Sequence, residues 1–281
     1  MSLISDWTNK EEKICLFCGA GFSKWAVGLP TARDLFDFKI KINKRETKKL
    51  ALLVDAKKNW NLQHPGGQAE EFIDFMINSE KKEDLVTWYI ERRLADPFIW
   101  EENRAFRQYR HVLMIDENRK YSVNGIRKTK NFLNFLSGSA LTGIITTNYD
   151  MVIEYALGTK GFNYGQKYQP LHGRGPYPVS TFQKPVIVSG NLPLVKLHGS
   201  ISLTEHGYCS DGRGGITGKA LIIPPTRNKH FRDQVAFEWD LAREIIQKSE
   251  RIIFFGFAFN PYDQDINELL AVSKDTIKKI R

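Results

Sequence analysis

Cysteine is scarce in this chain: three in 281 residues, at Cys15, Cys18 and Cys209. An odd, low count excludes a closed disulfide framework and suits a reducing compartment, so a cytoplasmic protein is expected. No apolar run approaches the ~20 residues that a membrane-spanning helix needs. The opening stretch Met1–Glu12 is polar and lacks the apolar centre of a signal peptide. No membrane partner is expected. Internal repeats and low-complexity tracts are missing as well. Acidic residues are in deficit, 32 Asp and Glu against 41 Lys and Arg, which leaves a formal net charge of +9. Against these absences stand 42% hydrophobic and 12% aromatic residues, enough for a buried core and against disorder. The length fits one large domain over residues 1–281, with room for a sizeable insertion.

A basic surface attracts anions, whether a small ligand or a nucleic acid. Arg104, Phe106, Arg107, Tyr109 and Arg110 mix cations with aromatics, as nucleic-acid contacts do. A solvated helix face is the preferred reading of those charges, and it also fits the lysine-rich, aromatic-poor Lys39–Lys58.

The stretch Ile14-Cys15-Leu16-Phe17-Cys18-Gly19-Ala20-Gly21-Phe22-Ser23 organises the rest. An unbroken apolar run bounded by glycine reads as a buried strand of a parallel sheet. Gly19 and Gly21 permit positive φ and close backbone approach, so the turn is expected to aim amide N–H groups at an anion. That places a phosphate cradle at the carboxyl end of a strand, where open α/β sheets bind ligands. The Gly-x-Gly-x-x-Gly dinucleotide fingerprint is incomplete, because Phe22-Ser23-Lys24 supplies no third glycine.

Helical spacing follows in Leu35, Phe38 and Ile42, in Leu50, Leu53 and Val54, in Glu70–Met76 and in Leu85–Leu94, with Pro97 as a breaker. Phe98–Met114 and Asn131–Leu136 continue it, so a mostly helical insertion over about 35–136 is expected. Strands are expected at Ala140–Ile145, Leu194–Leu197, Leu221–Ile223 and Ile252–Phe255, with a long lid or specificity loop over Gly158–Ser189. Phe231–Lys248 reads as an amphipathic helix with Val235, Trp239, Leu241 and Ile245 inward, and Ile266–Ile280 as a basic final helix. Continuous apolar strands alternating with helices give an α/β fold, a Rossmann-like parallel sheet with helices on both faces.

Four islands carry a resemblance. Gly19-Ala20-Gly21-Phe22-Ser23 with Gly28-Leu29-Pro30 and Arg33 resembles the opening motif of the sirtuin family of NAD-consuming enzymes. Thr146-Thr147-Asn148-Tyr149-Asp150 is similar to its Thr-Gln-Asn-Ile-Asp, Leu197-His198-Gly199-Ser200 to its catalytic His-Gly, and Gly256-Phe257-Ala258-Phe259-Asn260 falls where its Gly-Thr-Ser lies. The resemblance implies that Gly19, Ala20, Gly21 and Ser23 hold the phosphates of NAD and that Arg33 lines the dinucleotide site. It implies that Asn148 orients the ribose or an attacking water, beside Thr147, which stands where the family has glutamine. Asp150 would bond the nicotinamide carboxamide with Tyr149 alongside. Gly256 would admit the adenosine end, with Asn260 near it. His198 would be the general base on a ribose hydroxyl. Leu-His-Gly also occurs at His172, but only His198 closes an apolar run and so stands at a strand end.

Departures from the family narrow the reaction. The deacylases carry two Cys-x-x-Cys pairs after the catalytic histidine, whereas only Cys209 follows His198 here. Cys15 and Cys18 sit inside a strand on opposite faces, so no zinc site is read. The chain is similar instead to the zinc-less branch of bacterial antiphage systems, which hydrolyses NAD to nicotinamide and ADP-ribose. That resemblance implies an NAD-depleting effector with NAD as substrate, restrained as a homo-oligomer, by a regulatory protein partner, or by a fused sensor domain. It also implies one more strand at the chain's end, which would make this the N-terminal domain of a longer protein. A protein deacylase or ADP-ribosyltransferase is the alternative, and a non-catalytic module for a nucleotide or nucleic acid the third.

Overall fold

A computed structural model describes residues 12–38, 40, 44, 46–99, 120–137, 140–158, 161–165, 190–204, 207–208, 220–224, 235–259, 263–271 and 279–280. Along the chain come β1 (Lys13–Cys18), α1 (Ala20–Val27), α2 (Thr47–Gln63), α3 (Ala69–Asp74), α4 (Glu83–Ile99) and α5 (Lys120–Ser137). Then follow β2 (Ala140–Thr146), α6 (Val152–Leu157), β3 (Leu194–Lys196), β4 (Gly199–Thr204), β5 (Gly207–Tyr208) and β6 (Ala220–Ile222). The last are α7 (Ala236–Gln247), β7 (Arg251–Phe255), α8 (Gln264–Ala271) and β8 (Lys279–Ile280).

Every residue of β1 after Lys13 is buried, the mark of a strand covered on both faces. It pairs in parallel with β2 on one side and β7 on the other, inside a sheet of order β3-β2-β1-β7-β8 whose pairings are all parallel. Cys18 stands opposite both Thr146 and Phe255, and Thr146 opposite Lys196. Four strands therefore end in line, and the residues that follow each of them emerge at one edge. A second sheet, β5-β4-β6, is antiparallel and begins where the chain turns out of β3.

Two cores support this frame. The first surrounds the parallel sheet and takes Phe22 from α1, Leu133 from α5, Trp239 and Ile245 from α7, and Ile266 from α8. Val235 and Ile245 lie inward as the amphipathic pattern required, whereas Leu241 is only partly buried. The helix starts at Ala236, and residues 231–234 of the expected span lie outside the described residues. The second core is helical, built on Leu53, Trp60, Phe72, Met76, Val86 and Tyr89, and it reaches the sheets through Met151, Ile201 and Ile222. Of the helices between β1 and β2, α5 packs on α1 and α6 and covers the sheet, while α2, α3 and α4 fill the second core.

Three local expectations need correction. Leu35 and Phe38 do not share a helix: a single 3-10 turn spans Ala32–Asp34, and Phe38 has φ +56°. Tyr89 explains the difference, since its hydroxyl donates to Leu35 O (2.8 Å) and accepts from Phe38 N (3.2 Å), taking backbone groups that a helix would have used. Ile42 lies outside the described residues, as do residues 100–119 of the expected Phe98–Met114 helix. Pro97 does not stop α4, which runs on to Ile99; a proline removes one i→i−4 bond and strains the turn before it, and the residues beyond it can stay helical. The expected helix Ile266–Ile280 ends at Ala271, and Lys279–Ile280 form an edge strand on β7. Backbone pairing with Arg251 and Ile252 supplies the hydrogen bonds there, which side-chain spacing does not reveal.

Candidate active site

The aligned strand ends extend their ladder by one more bond each. Gly19 N donates to Phe255 O (3.0 Å), Thr147 N to Cys18 O (3.2 Å) and Leu197 N to Thr146 O (2.9 Å). The first glycine turn, the Thr147–Asp150 segment, His198 and Gly256 are thereby fixed along one edge of one sheet.

Asn148 is the centre of the arrangement. It is 7% exposed, and its Nδ2 donates to Gly19 O and to Ser23 Oγ, each at 2.9 Å. A carbonyl oxygen accepts only, so Gly19 O fixes which end of the amide is nitrogen. Both amide hydrogens are spent within the chain, which leaves Oδ1 as the end of the side chain able to take a further donor. Its main-chain N–H is held by Thr146 Oγ1 at 3.0 Å. Ser23, expected among the phosphate contacts, is buried with its hydroxyl on Asn148.

The glycine turn differs from its expected geometry. Gly19 has φ −112°, and neither Gly19 nor Gly21 is in the left-handed region. Their amides are not free for an anion: Gly21 N donates to Gly256 O at 2.8 Å, and Gly19 N to Phe255 O. Glycine is needed because another backbone passes. A Cβ on Gly19 would lie 2.5 Å from Phe257 Cα, and one on Gly21 2.8 Å from Gly256 Cα. Among the described residues the Ala20 N–H keeps no acceptor, at the N-terminus of α1, where an anion is favoured. Gly256 is the other half of this contact, with φ +64° and space for a Cβ only 2.1 Å from Phe22 N. Gly256→Ala is expected to lower unfolding free energy by about 3 kcal/mol or more, measured by urea titration, from left-handed strain plus the backbone clash.

Asp150 is buried, and its Oδ1 accepts from Val152 N at 3.0 Å, so the carboxylate steadies the start of α6. Behind it lies a group that sequence reasoning missed. Lys196, fully buried on β3, donates from Nζ to Glu154 Oε1 (2.7 Å) and to Asp150 O. Tyr164 donates its hydroxyl to the same Glu154 oxygen at 3.1 Å. The signal was present, since a lysine inside the apolar run Leu194–Leu197 requires a buried partner.

His198 leaves β3 one residue after Leu197 and is 4% exposed. Its carbonyl accepts from Ile223 N (2.9 Å), and the preceding Leu197 O from Trp239 Nε1 (3.2 Å). The ring lies 6.5 Å, centroid to centroid, from that of Tyr149, and Nε2 is 3.7 Å from Asp263 Oδ1. Tyr149 donates its hydroxyl to Ile223 O at 2.7 Å. Burial, then the Asp263 and Glu70 carboxylates, push that phenol well above its usual range. Asp263 also escaped sequence reasoning, as nothing local ties it to a histidine so far back in the chain.

Arg33 stands in the 3-10 turn, exposed, on a cavity of about 430 Å³ that it shares with Lys24, Gly28, Pro30, Asp37 and Arg93. Lys24 pairs with Asp34 (2.7 Å), and Arg93 grips Asp37 through Nε and an η nitrogen (3.2 and 3.0 Å). Thr147 is half-buried beside Asn148. Asn260, His172, His206 and Cys209 lie outside the described residues. Cys15 and Cys18 are buried in β1, and burial raises both thiols far above their ordinary values. Among the described residues no three His, Cys, Asp or Glu side chains are grouped to hold a metal, and no helix is long and apolar enough to cross a membrane.

Residues 142–280 match the family model described as SIR2-like domain, a span that runs from β2 into β8 and includes Asn148, His198 and Gly256. No curated protein matches the chain. The family match suggests NAD-related activity, and it coincides with a parallel α/β sheet whose strand ends gather the motif residues at one edge. The match and the fold together support a sirtuin-like family for this chain.

Proposed function

We propose that the protein is an NAD glycohydrolase, which cleaves the bond between nicotinamide and ribose with water and yields nicotinamide, ADP-ribose and a proton. The observation that carries this reading is Asn148, whose amide hydrogens both go to Gly19 O and Ser23 Oγ. The oxygen that remains accepts from a donor, and a ribose hydroxyl and an attacking water are both donors.

The other groups each have a task. His198 takes a proton from a ribose hydroxyl or from the water, a step for which imidazole is suited near neutral pH. Ala20 N–H and the start of α1 favour the pyrophosphate charge. Arg33 adds positive charge to the cavity that it lines, where Lys24 and Arg93 are paired with Asp34 and Asp37. Burial of Asn148 and His198 strengthens these electrostatic contacts and keeps bulk water from the ribose. In the cell this activity would deplete NAD in the cytoplasm as an antiphage effector, held in check by self-assembly or by a protein partner.

The test is product analysis of NAD incubated with the purified chain and no peptide. Nicotinamide and ADP-ribose are expected in equal amounts, with Asn148→Ala slower by about 100-fold or more, the scale of removing one pre-aimed polar group. Absence of nicotinamide from the wild-type reaction, or an Asn148→Ala protein as fast as wild type, defeats the proposal. Turnover that starts only when an acylated peptide is added would favour the deacylase.

A further inference from the structure

We propose that Asp263 is the positioning partner of His198: its carboxylate holds the imidazole in place and offsets the positive charge that the ring gains when it takes a proton. The inference rests on the NAD-cleaving reading above for its catalytic consequence, but not for the pairing itself.

The geometry is specific. Asp263 Oδ1 lies 3.7 Å from His198 Nε2, with the two side chains 15% and 4% exposed. That separation is ion-pair contact and longer than a hydrogen bond, so the carboxylate acts on the ring mainly as a charge. Few atoms of either group reach solvent, and screening between them is weak. Asp263 is also rigidly mounted. Its carbonyl accepts from Ile266 N (3.0 Å) and Asn267 N (3.4 Å), which fixes it at the first turn of α8. The same helix buries Ile266, Leu269 and Leu270 in the core around the sheet. The ring also lies beside Tyr149, whose phenol is raised by burial and by the Asp263 and Glu70 charges, and so stays neutral. Lys196, at the end of β3 and two residues before His198, is committed to Glu154 and Asp150 O. Among these groups, Asp263 is the carboxylate in ion-pair contact with the ring.

In the reaction the proton leaves a ribose hydroxyl or the attacking water, passes to the imidazole, and later goes to solvent. Nothing is oxidised or reduced. The proton does not pass to Asp263, whose contribution is larger once the ring is charged. A carboxylate that only supported the fold would not track the protonation state of His198.

The experiment is an NMR titration of the imidazoles in the full chain, with His198 assigned by its loss in His198→Ala, read beside the pH dependence of NAD cleavage. Asp263→Asn is expected to lower the His198 midpoint by about one pH unit. The acid limb of kcat should move down by the same amount, kcat at its plateau should fall about tenfold, and KM for NAD should stay within about twofold. Asp263→Glu should restore part of both shifts. A midpoint that moves by less than about 0.3 unit in Asp263→Asn overturns the pairing, as does a His198 that fails to titrate in either protein between about pH 5 and 9. The two failures separate cleanly. NAD left intact by wild type while the midpoint still falls defeats the reaction and keeps the pair; NAD cleaved with an unmoved midpoint does the reverse.

Discussion

His198→Ala is expected to cut nicotinamide release from NAD by about 10²- to 10⁴-fold, the range for loss of a positioned general base. The chain should remain folded, because what holds this segment is mostly backbone. Leu197 N donates to Thr146 O, Ile223 N to His198 O and Trp239 Nε1 to Leu197 O, and none of these needs the imidazole. Tyr149 and Asp263 are among the ring's neighbours, and Tyr149 keeps its own bond to Ile223 O. A melting curve close to wild type with the activity gone would separate chemistry from folding. His172→Ala is the comparison to run beside it, since that histidine shares the Leu-His-Gly pattern. If His198→Ala retains most of the activity, or His172→Ala loses it, the strand-end histidine is not the base.

The largest effect on stability is expected from Lys196→Met, about 3–5 kcal/mol by urea unfolding, the usual scale for removing one partner of a buried pair. Lys196 and Glu154 side chains are 1% and 4% exposed, and their atoms meet at 2.7 Å. Without the ammonium, Glu154 keeps only the Tyr164 hydroxyl among the bonds described here, and a lone buried carboxylate must be neutralised or hydrated. The loss is large against the 5–15 kcal/mol that folded domains typically have in reserve, roughly speaking. Lys196→Met with Glu154→Leu should recover most of the deficit, because an apolar pair of similar volume no longer strands a charge. Activity should fall in the single variant beyond what unfolding explains, since Lys196 Nζ also holds the carbonyl of Asp150, two residues past Asn148. A single substitution costing less than about 1 kcal/mol, the scale of an exposed pair, would show that water reaches these groups.

What could be read from the sequence was what each strand dictates for itself. Ile14–Cys18 is apolar without interruption, and such a run has no stable place except between two other strands. The motif residues follow directly on runs of this kind, so their meeting at one edge was legible once the strands were. What could not be read depends on contacts between distant parts of the chain. Leu35 and Phe38 have helical spacing, but the Tyr89 hydroxyl takes their backbone groups. Gly19 and Gly21 were legible as positions that exclude a side chain, yet the excluding neighbours are the backbone of Gly256 and Phe257 and not a ligand. Asp263 bears on His198 only because α8 is seated against the sheet, and no spacing rule connects the two. Lys196 is the intermediate case: its place in an apolar strand announced a buried partner without naming Glu154.

The strand order has a consequence for how the protein is divided. In the sequence β3-β2-β1-β7-β8, the segment that carries the family signature, residues 142–280, contributes every strand but the middle one. Cut out on its own, that segment would have two half-sheets facing an empty slot, each with a row of unsatisfied amides and carbonyls. Asn148 would lose the Gly19 and Ser23 atoms that orient it. The recognisable half is therefore not the working half: the unit of inheritance and the unit of folding differ here by one strand and the turn that follows it.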